Sequence, residues 1–337
     1  MKKCKRLISK NIIVNNEYTP SLSILSLDEL WKLHEIGRHI YESAPIVGNS
    51  RDRSLHASSG IKRFGVKKAI GWIDIKLELA KRIMKKCTFC FHKCGANRIN
   101  NEKGLCLVGK NSFISAEYIH LGEEKEIIPA HTIFFTGCTF HCVYCQNWKG
   151  AFRQTNEHFY SQGKLVEIIT QRFNEGAKTV NFTGGTPEPH LLTILKIVKY
   201  LPDNITPLFV FNSNASLSED GLKLMEGIID IYVPDFKYGN DNCALRYSGI
   251  NNYLKTVTEN ILFMYNTAKV LVRHLILPEH IECCTKPVLD WIKKNIPDIT
   301  FNPMFQYRPC YKAWNYIEIA RMLNENEIKF LNKLLKI

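Results

Sequence analysis

Residues 132–145 read TIFFTGCTFHCVYC, a short apolar strand pattern followed at once by a loop with three cysteines. These cysteines, Cys138, Cys142 and Cys145, have the spacing C-x3-C-x2-C. Three thiolates on one loop can each bind a different iron of a [4Fe–4S] cluster, which leaves the fourth iron open for chemistry. A zinc site with His141 as fourth ligand is the alternative, but tetrahedral zinc sites usually use two paired groups of ligands. The loop therefore predicts an iron–sulfur site.

After this loop the chain alternates runs of β-branched and aromatic residues with helical patterns. We predict strands at 132–136, 178–182, 207–211, 229–233, 269–276 and 299–305, and helices at 161–175, 189–200, 218–226, 243–266 and 284–295. Six β-then-α units favour an α/β fold with a parallel sheet, closed or partly closed into a barrel. The cysteine loop follows the first of these strands, at the end where barrel enzymes build their active sites.

The first third of the chain differs from the rest in charge. Residues 1–110 hold 22 Lys and Arg against 9 Asp and Glu, whereas residues 111–337 hold 23 of each. The segment contains predicted helices at 26–43 and 72–85 and a loop at 48–65. The excess positive charge of this segment could bind phosphate or an acidic partner. Helices with solvent-exposed lysine faces are the simpler interpretation.

We divide the chain into four parts on these patterns. They are a basic, mainly helical extension (1–86), a four-cysteine segment (87–112), the barrel (113–312) and a C-terminal helical segment (313–337), with one final helix or two between 315 and 336. A chain of 337 residues can bury a full core without disulfides. No run approaches the ~20 apolar residues of a membrane span, and the start of the chain lacks a secretory pattern.

The number and spacing of the cysteines indicate metal-binding sites rather than disulfides. Seven of the twelve cysteines fall into two tight groups in a long, Lys-rich chain, which indicates metal ligands in a reducing cytoplasm. We therefore expect a cytoplasmic protein.

The second group is Cys87, Cys90, Cys94 and Cys106, which we call the knuckle. Four thiolates make a closed site, suited to structural zinc or to an additional iron–sulfur cluster that relays electrons; ordinary buried thiols are the alternative. The remaining cysteines in the barrel have no ligand spacing and are expected to be packing thiols. They are Cys243, Cys283, Cys284 and Cys310.

The cysteine loop resembles the signature of the radical S-adenosylmethionine (radical SAM) superfamily. Across about residues 87–312 the sequence is similar to homologues of pyruvate formate-lyase activating enzymes. The matching segments are the knuckle with Gly95, Asn97 and Arg98, His120-x-Gly122-Glu123-Glu124, Cys145-Gln146-Asn147, Ile229–Tyr238, Arg273–Pro278 and Gln306-Tyr307-x-Pro309. The resemblance implies a partial (β/α)6 barrel of radical SAM type and S-adenosylmethionine chelated by the open iron. It also implies reductive cleavage of that cofactor to a 5′-deoxyadenosyl radical, which abstracts hydrogen.

The resemblance also implies cofactor contacts. Tyr144 would lie near the adenine. Gly184 and Gly185, which follow the second strand, would bind the methionine amino group, although a Gly-Gly pair is more often only a turn. Asp235 and Lys237 point the same way and would contact the methionine and ribose portions; a structural ion pair at the barrel rim is the alternative.

Two further contacts are predicted on the remaining strands. Arg273 and His274 point oppositely, so only one can face the barrel interior, and by resemblance we choose His274; a hydrogen-bonded core histidine is the alternative. Asn212 and Asn214 end the third strand and could contact the cofactor or cap a turn.

These patterns predict a radical SAM enzyme, an oxidoreductase similar to activating enzymes. Its partners would be S-adenosylmethionine, an electron donor such as flavodoxin or ferredoxin, and a substrate that could be a backbone glycine of a partner enzyme, a small molecule or RNA. The alternative is a metal-stapled protein whose basic first third binds nucleic acid. The Gly-Gly and Asp-x-Lys segments, both at strand ends on the cysteine-loop side, favour the enzyme.

Overall fold

Strands and helices alternate along most of the chain, as the sequence predicts. The structure is a computed structural model, and it describes residues 13–15, 21–43, 70–153 and 158–335. A short antiparallel pair joins β1 (Ile13–Asn15) to β2 (Ile70–Gly71). The main sheet consists of β3 (Ile114–His120), β4 (Ala130–Phe135), β5 (Thr179–Gly184), β6 (Leu208–Ser213), β7 (Ile231–Pro234), β8 (Lys269–Leu275) and β9 (Thr300–Met304).

The main sheet is parallel apart from one edge. From β4 to β9 each strand pairs in parallel with the next, whereas β3 runs antiparallel to β4. The strand order follows the sequence order and the two edges do not pair, so the sheet is not closed. The predicted α/β fold with a partly closed barrel is confirmed. Strand β3 was not predicted, because its side chains are half-buried on both faces and the usual alternation is weak.

Nine α-helices lie in the described part of the chain. They are α1 (Leu27–Ser43), α2 (Trp72–Ile83), α3 (Gln162–Asn174), α4 (Leu191–Tyr200), α5 (Glu219–Met225), α6 (Asp241–Ser248), α7 (Tyr253–Thr267), α8 (Lys286–Asn295) and α9 (Glu325–Leu335). The single helix predicted over 243–266 is two helices. Gly249 ends α6 in the left-handed region with φ 70°, a conformation that a side chain disfavours. At the C-terminus, residues 313–319 form two short 3-10 turns, and the helix begins only at Glu325.

The two faces of the sheet carry different cores. On the outer face, side chains of the helices form one large apolar cluster with the sheet, and Ile75 and Leu79 of α2 are fully buried in it. On the inner face a smaller cluster includes Val210, Val233 and Leu271. Helix α2, assigned by sequence to the extension, thus shares the core of the barrel.

Helix α1 packs on α2 partly through a polar contact, the His34 Nε2 atom lying 3.0 Å from the Lys76 ammonium. The predicted loop at 48–65 lies outside the described residues. Among the helices that the structure describes, none combines the length and apolarity needed to cross a bilayer.

Candidate active site at the carboxyl ends of the parallel strands

Four predicted segments meet at one edge of the sheet. The cysteine loop follows β4, the Gly184–Gly185 turn follows β5, Asn212 lies near the end of β6, and the segment with Asp235 follows β7. Because β4 to β7 are parallel and adjacent, their carboxyl ends lie side by side. Open α/β sheets bind ligands at this edge.

The cysteine loop holds its sulfurs among hydrogen-bond donors. The Phe140 amide N–H and the Asn214 side-chain amide donate to Cys138 Sγ at 3.4 and 3.3 Å. The Ser248 hydroxyl lies 2.9 Å from Cys142 Sγ. Such donors stabilise negative charge on sulfur and are a recognised influence on iron–sulfur sites.

Burial disfavours the thiolate form of these three cysteines, so a nearby positive charge is needed to stabilise it. It raises the pKa of Cys138 and Cys142 above the ordinary thiol value, and that of Cys145 to about 12. The three sulfurs would therefore be neutral without a strongly positive partner, and only thiolates are good metal ligands. An iron centre supplies the charge that this donor set lacks.

A chain of hydroxyl groups leads from the core to Cys142. The Tyr144 hydroxyl donates to the Tyr238 hydroxyl at 2.7 Å, and the Tyr238 hydroxyl lies 2.6 Å from Ser248 Oγ. Since Tyr144 donates to Tyr238, Tyr238 can donate to Ser248, which can then donate to the sulfur. Bonds in such a chain strengthen one another. Tyr144 is thereby held in the core, with its hydroxyl already bonded.

The two glycines allow the β5 turn to touch the cysteine loop. Gly184 has φ +115°, a region that side chains rarely adopt. A Cβ on Gly185 would overlap the Gly137 carbonyl oxygen, and the Thr186 amide donates to that same oxygen at 3.1 Å. The Gly-Gly pair is therefore required here for close backbone approach.

Asp235 and Lys237 meet each other. Lys237 Nζ lies 2.5 Å from Asp235 Oδ2, with 14% of the lysine side chain and 30% of the aspartate side chain exposed. Burial lowers the pKa of Lys237, but Asp235 and Cys142 outweigh it and raise the pKa above its ordinary value. A permanent positive charge thus stands close to the cysteine loop.

The structure reverses the expected roles of Arg273 and His274. His274 lies on the outer face, where Nδ1 is 2.7 Å from the Phe236 carbonyl and Nε2 is 2.9 Å from Thr285 Oγ1. Both ring nitrogens are thus engaged within the protein, and the expectation that His274 faces the barrel interior is wrong. The alternation along β8 is as predicted. His274 takes the outer face because Thr285, just before α8, offers it a hydrogen-bond partner there.

Arg273 instead points into the barrel interior. Its guanidinium binds Glu123 and Glu124 from the loop after β3. The Asn302 amide of β9 donates to Glu124 at 2.7 Å, and the Asn181 amide of β5 donates to Glu123 at 3.3 Å. Because these residues come from strands far apart in the sheet, the group spans the concave face. We call it the ionic floor.

Several polar atoms on the inner face of the sheet remain available to a ligand. Thr132 Oγ1 and Asn181 Oδ1 are buried without a hydrogen-bond partner in the described chain. Asn212 is half-buried near the end of β6. Buried polar groups are normally satisfied, so these atoms suit a polar ligand or ordered water in the barrel interior.

The knuckle lies directly beside the cysteine loop. Its four cysteines line one small cavity together with Arg98. The Cys138 amide donates to the Cys106 carbonyl at 3.1 Å, and His92 Nε2 lies 2.8 Å from the Thr139 carbonyl. The two cysteine groups therefore form one contiguous unit.

Three residues near the site were not predicted from the sequence. Ser248 and Tyr238 form the hydroxyl chain, and buried Glu188 accepts from the Ser216 amide and hydroxyl at 3.1 and 3.0 Å. Ser216 in turn contacts the Thr139 hydroxyl of the cysteine loop at 2.8 Å. Glu188 was detectable as an acidic residue two positions after Thr186 in an otherwise apolar segment, whereas Ser248 has no sequence signal because α6 contacts the loop only through the fold.

Comparison with known proteins identifies relatives. Residues 132–292 match the family model described as "Radical SAM superfamily". The protein MJ0674 of Methanocaldococcus jannaschii, described as uncharacterized, is 44% identical over 263 residues, which cover 76% of each chain.

Solved structures with partial similarity are more distant. Streptococcus suis SuiB, in a structure bound to S-adenosylmethionine, is 14% identical with a TM-score of 0.45, covering 59% of this chain and 44% of SuiB. Methylornithine synthase (PylB) is 16% identical with a TM-score of 0.44, covering 61% of this chain and 62% of PylB. The chain thus spans less than half the length of SuiB.

Proposed function

Because residues 132–292 form a radical SAM superfamily domain, and enzymes of that superfamily use a [4Fe–4S] cluster with S-adenosylmethionine, we propose that Cys138, Cys142 and Cys145 hold such a cluster. The protein would then cleave S-adenosylmethionine reductively to abstract a hydrogen atom from a substrate. The observation that carries the proposal is the placement of three thiols, two buried and one half-buried, on the loop after β4, beside the Gly184–Gly185 turn.

The chain's own residues would prepare the site. Phe140, Asn214 and Ser248 place hydrogen-bond donors on the sulfurs. The Lys237 ammonium places a positive charge near Cys142. When bound, the cluster supplies the electron that converts S-adenosylmethionine to a 5′-deoxyadenosyl radical. The protein's contribution is to bind, orient and enclose the reacting groups.

S-adenosylmethionine would lie at the carboxyl edge of the sheet. Its amino group would meet the backbone at Gly184 and Gly185, and its other polar groups would meet Asn212, Asp235 and Lys237. The place of Asn212 near the end of β6, beside the β5 turn, supports this assignment. Tyr144 would act through its hydroxyl chain to Cys142 and its packing beneath the loop. His274 is left out, since both of its ring nitrogens are engaged.

The knuckle would hold a second iron–sulfur cluster. Its four thiols line one cavity and make a closed ligand set of the kind that holds such a cluster. The hydrogen bond between the Cys138 amide and the Cys106 carbonyl puts the two sites in adjacent backbone segments. A second cluster there would relay electrons from a donor such as flavodoxin or ferredoxin to the first.

We predict that single Ala variants of Cys138, Cys142 or Cys145 lose all cofactor cleavage. The reason is that two thiolates cannot hold three irons of the cluster. The full chain is reconstituted anaerobically with iron and sulfide, reduced, and assayed for 5′-deoxyadenosine and for iron content. Cys4→Ala, which lies in neither cysteine group, is the matched control and should cleave as the wild type does.

The same measurement separates the two sites. A triple Ala variant at 138, 142 and 145 should keep the iron of the knuckle, and adding Cys87→Ala and Cys90→Ala should remove it. Substantial 5′-deoxyadenosine from any single variant of the cysteine loop would contradict the proposal. A triple variant in which the knuckle holds neither iron nor zinc would return its cysteines to packing thiols.

The substrate that we propose is a backbone glycine of a partner enzyme. This finer proposal rests on the similarity of residues 87–312 to activating enzymes. An anaerobic pulldown with the reconstituted chain, followed by electron paramagnetic resonance of the captured protein after adding cofactor and reductant, tests it. A small-molecule or RNA substrate would give 5′-deoxyadenosine with no glycyl radical on any captured protein.

A further inference from the structure

A third group of thiols meets on the far side of α6, away from both cysteine groups described above. Cys243 lies in the first turn of α6, while His280 and Cys283 follow β8. One donor atom of each lies within 4.8 Å of the donor atoms of the other two. Within the described residues this is the one set of three His, Cys, Asp or Glu side chains with such spacing. The sequence predicts packing thiols here, because 37 to 40 positions separate Cys243 from its partners.

The imidazole of His280 is oriented as a ligand. Its Nδ1 atom lies 2.6 Å from the Pro278 carbonyl oxygen, which can only accept a hydrogen bond. Nδ1 therefore carries a proton, which leaves Nε2 as the ring nitrogen that can bind a metal ion. Histidine ligands of metals are commonly fixed in this way by a carbonyl on the other ring nitrogen.

Asn240 and Cys284 complete the surroundings. The Asn240 side-chain amide lies 3.3 Å from Cys243 Sγ and 3.7 Å from Cys284 Sγ, and it donates to the Cys283 carbonyl at 2.7 Å. Cys284 Sγ is 3.9 Å from Cys283 Sγ. Cys284 thus places a fourth sulfur next to that of Cys283. The Asn240 amide N–H lies near the sulfurs of Cys243 and Cys284.

The backbones on either side are in direct contact. A Cβ on Gly239 would come within 2.6 Å of the Cys284 carbonyl oxygen, so no side chain separates the start of α6 from the turn that carries Cys283 and Cys284. The side chains of Cys243 and Cys283 remain accessible to solvent, whereas His280 is buried. An ion could therefore enter from solvent onto donors that the fold already holds together.

We propose that Cys243, His280 and Cys283 bind a Zn²⁺ ion. Two thiolates and an imidazole are soft and borderline donors that suit zinc, and the set holds no carboxylate for calcium or magnesium. The compact spacing of the donors matches a single ion.

The site would act on the cysteine loop through α6. The last residue of α6, Ser248, contacts Cys142 Sγ, and its carbonyl accepts from the His141 amide at 3.2 Å. The Tyr247 carbonyl accepts from the Val143 amide at 2.8 Å. A zinc ion that ties the start of α6 to the turn before α8 would hold this helix, and Cys243 and His280 would be positioning residues for the loop.

Metal analysis of the full chain tests the proposal. Cys243→Ala, His280→Ala and Cys283→Ala should each lower the zinc content by about one ion per chain, whereas the control Cys310→Ala should not. The same comparison in a chain with the four knuckle cysteines replaced removes any zinc that the knuckle binds. Unchanged zinc in all three variants would overturn the proposal.

A second measurement needs no variant and so does not depend on the folding of one. In the zinc-loaded wild-type chain, alkylation of Cys243 and Cys283 should be slow, and a zinc chelator should raise it several-fold, as read by mass spectrometry of peptides. Equal rates with and without chelator would overturn the proposal, as would a Cys243–Cys283 disulfide in protein purified under reducing conditions. The cleavage assay of the Cys138, Cys142 and Cys145 variants is measured separately from these zinc experiments. The zinc proposal and the proposed function can therefore fail independently.

Discussion

At the scale of single residues, Asp235 and Lys237 form a pair at the rim of the candidate site. The pair could serve the cofactor, or it could only stabilise the segment that follows β7, in which both residues lie. Its short Nζ to Oδ2 distance of 2.5 Å and its place beside Cys142 are compatible with both roles. The two roles differ in what the loss of the lysine does.

We predict that Lys237→Ala weakens S-adenosylmethionine binding about ten- to a hundredfold while iron content stays unchanged. A charge-assisted hydrogen bond is worth roughly 1.5 to 3 kcal/mol, which corresponds to that range. Titration of the cofactor against the spectral signal of the cluster measures it. Lys164→Ala, which removes the exposed pair with Glu167, is the control.

Asp235→Ala distinguishes the two roles further. It should weaken binding similarly if Asp235 also reaches the ligand, and should lower only the thermal midpoint if the pair is structural. Unchanged affinity in both Lys237→Ala and Asp235→Ala would assign the pair to the fold alone.

At the scale of elements, the β5 turn and the cysteine loop are fitted to each other through backbone contacts. Gly185 leaves no room for a Cβ against the Gly137 carbonyl, and a Cβ there would also lie 3.3 Å from Cys138 Cβ. Helix α3 offers a contrast, since nothing lies within 4 Å of a Cβ placed on Gly163.

We predict that Gly185→Ala lowers the free energy of unfolding by about 1 to 3 kcal/mol, because overpacking displaces the loop. Iron incorporation should fall with it, since Cys138 moves. Gly163→Ala is the matched control and should raise stability by about 0.5 to 1 kcal/mol, the usual gain for Ala over Gly within a helix. Denaturation curves and iron analysis of both variants give the comparison. Full iron content and wild-type stability in Gly185→Ala would contradict the tight contact.

At the scale of the whole molecule, neutral histidines are buried in three places. Burial lowers the pKa of His34 to about 2, of His190 to about 3 and of His274 to about 4. In the unfolded chain these groups take up a proton below about pH 6.5. The unfolded state therefore binds more protons than the folded state between the two pKa values, and the free energy of unfolding falls as the pH falls.

We predict that His190→Gln reduces this pH dependence. One histidine contributes up to about 1.4 kcal/mol per pH unit below about pH 6. Gln can still contact Ser112 and the Thr136 carbonyl, which lie 2.8 and 3.0 Å from the two ring nitrogens. Thermal midpoints between about pH 5 and pH 7 should show a shallower slope for the variant than for the wild type. Equal slopes would mean that His190 is charged in the folded protein.

The sequence alone determined the features that depend on neighbouring residues. Strand runs, helix patterns and the C-x3-C-x2-C spacing are local, and they led to an α/β fold with the cysteine loop at the end of the first parallel strand. Because the carboxyl ends of parallel strands share one edge, they also placed Gly184, Gly185, Asn212 and Asp235 on the same side of the sheet. That placement follows from strand direction alone and does not depend on which residues pack against each face of the sheet.

The tertiary structure decided what depends on residues distant in the chain. Alternation along β8 indicated that Arg273 and His274 point oppositely, but only the acidic loop inside the barrel and Thr285 outside it determined which faces where. The break at Gly249 turned one predicted helix into two, and the first of these brings Ser248 to Cys142. The meeting of Cys243 with His280 and Cys283 likewise has no spacing signal, because two connections of the barrel bring them together.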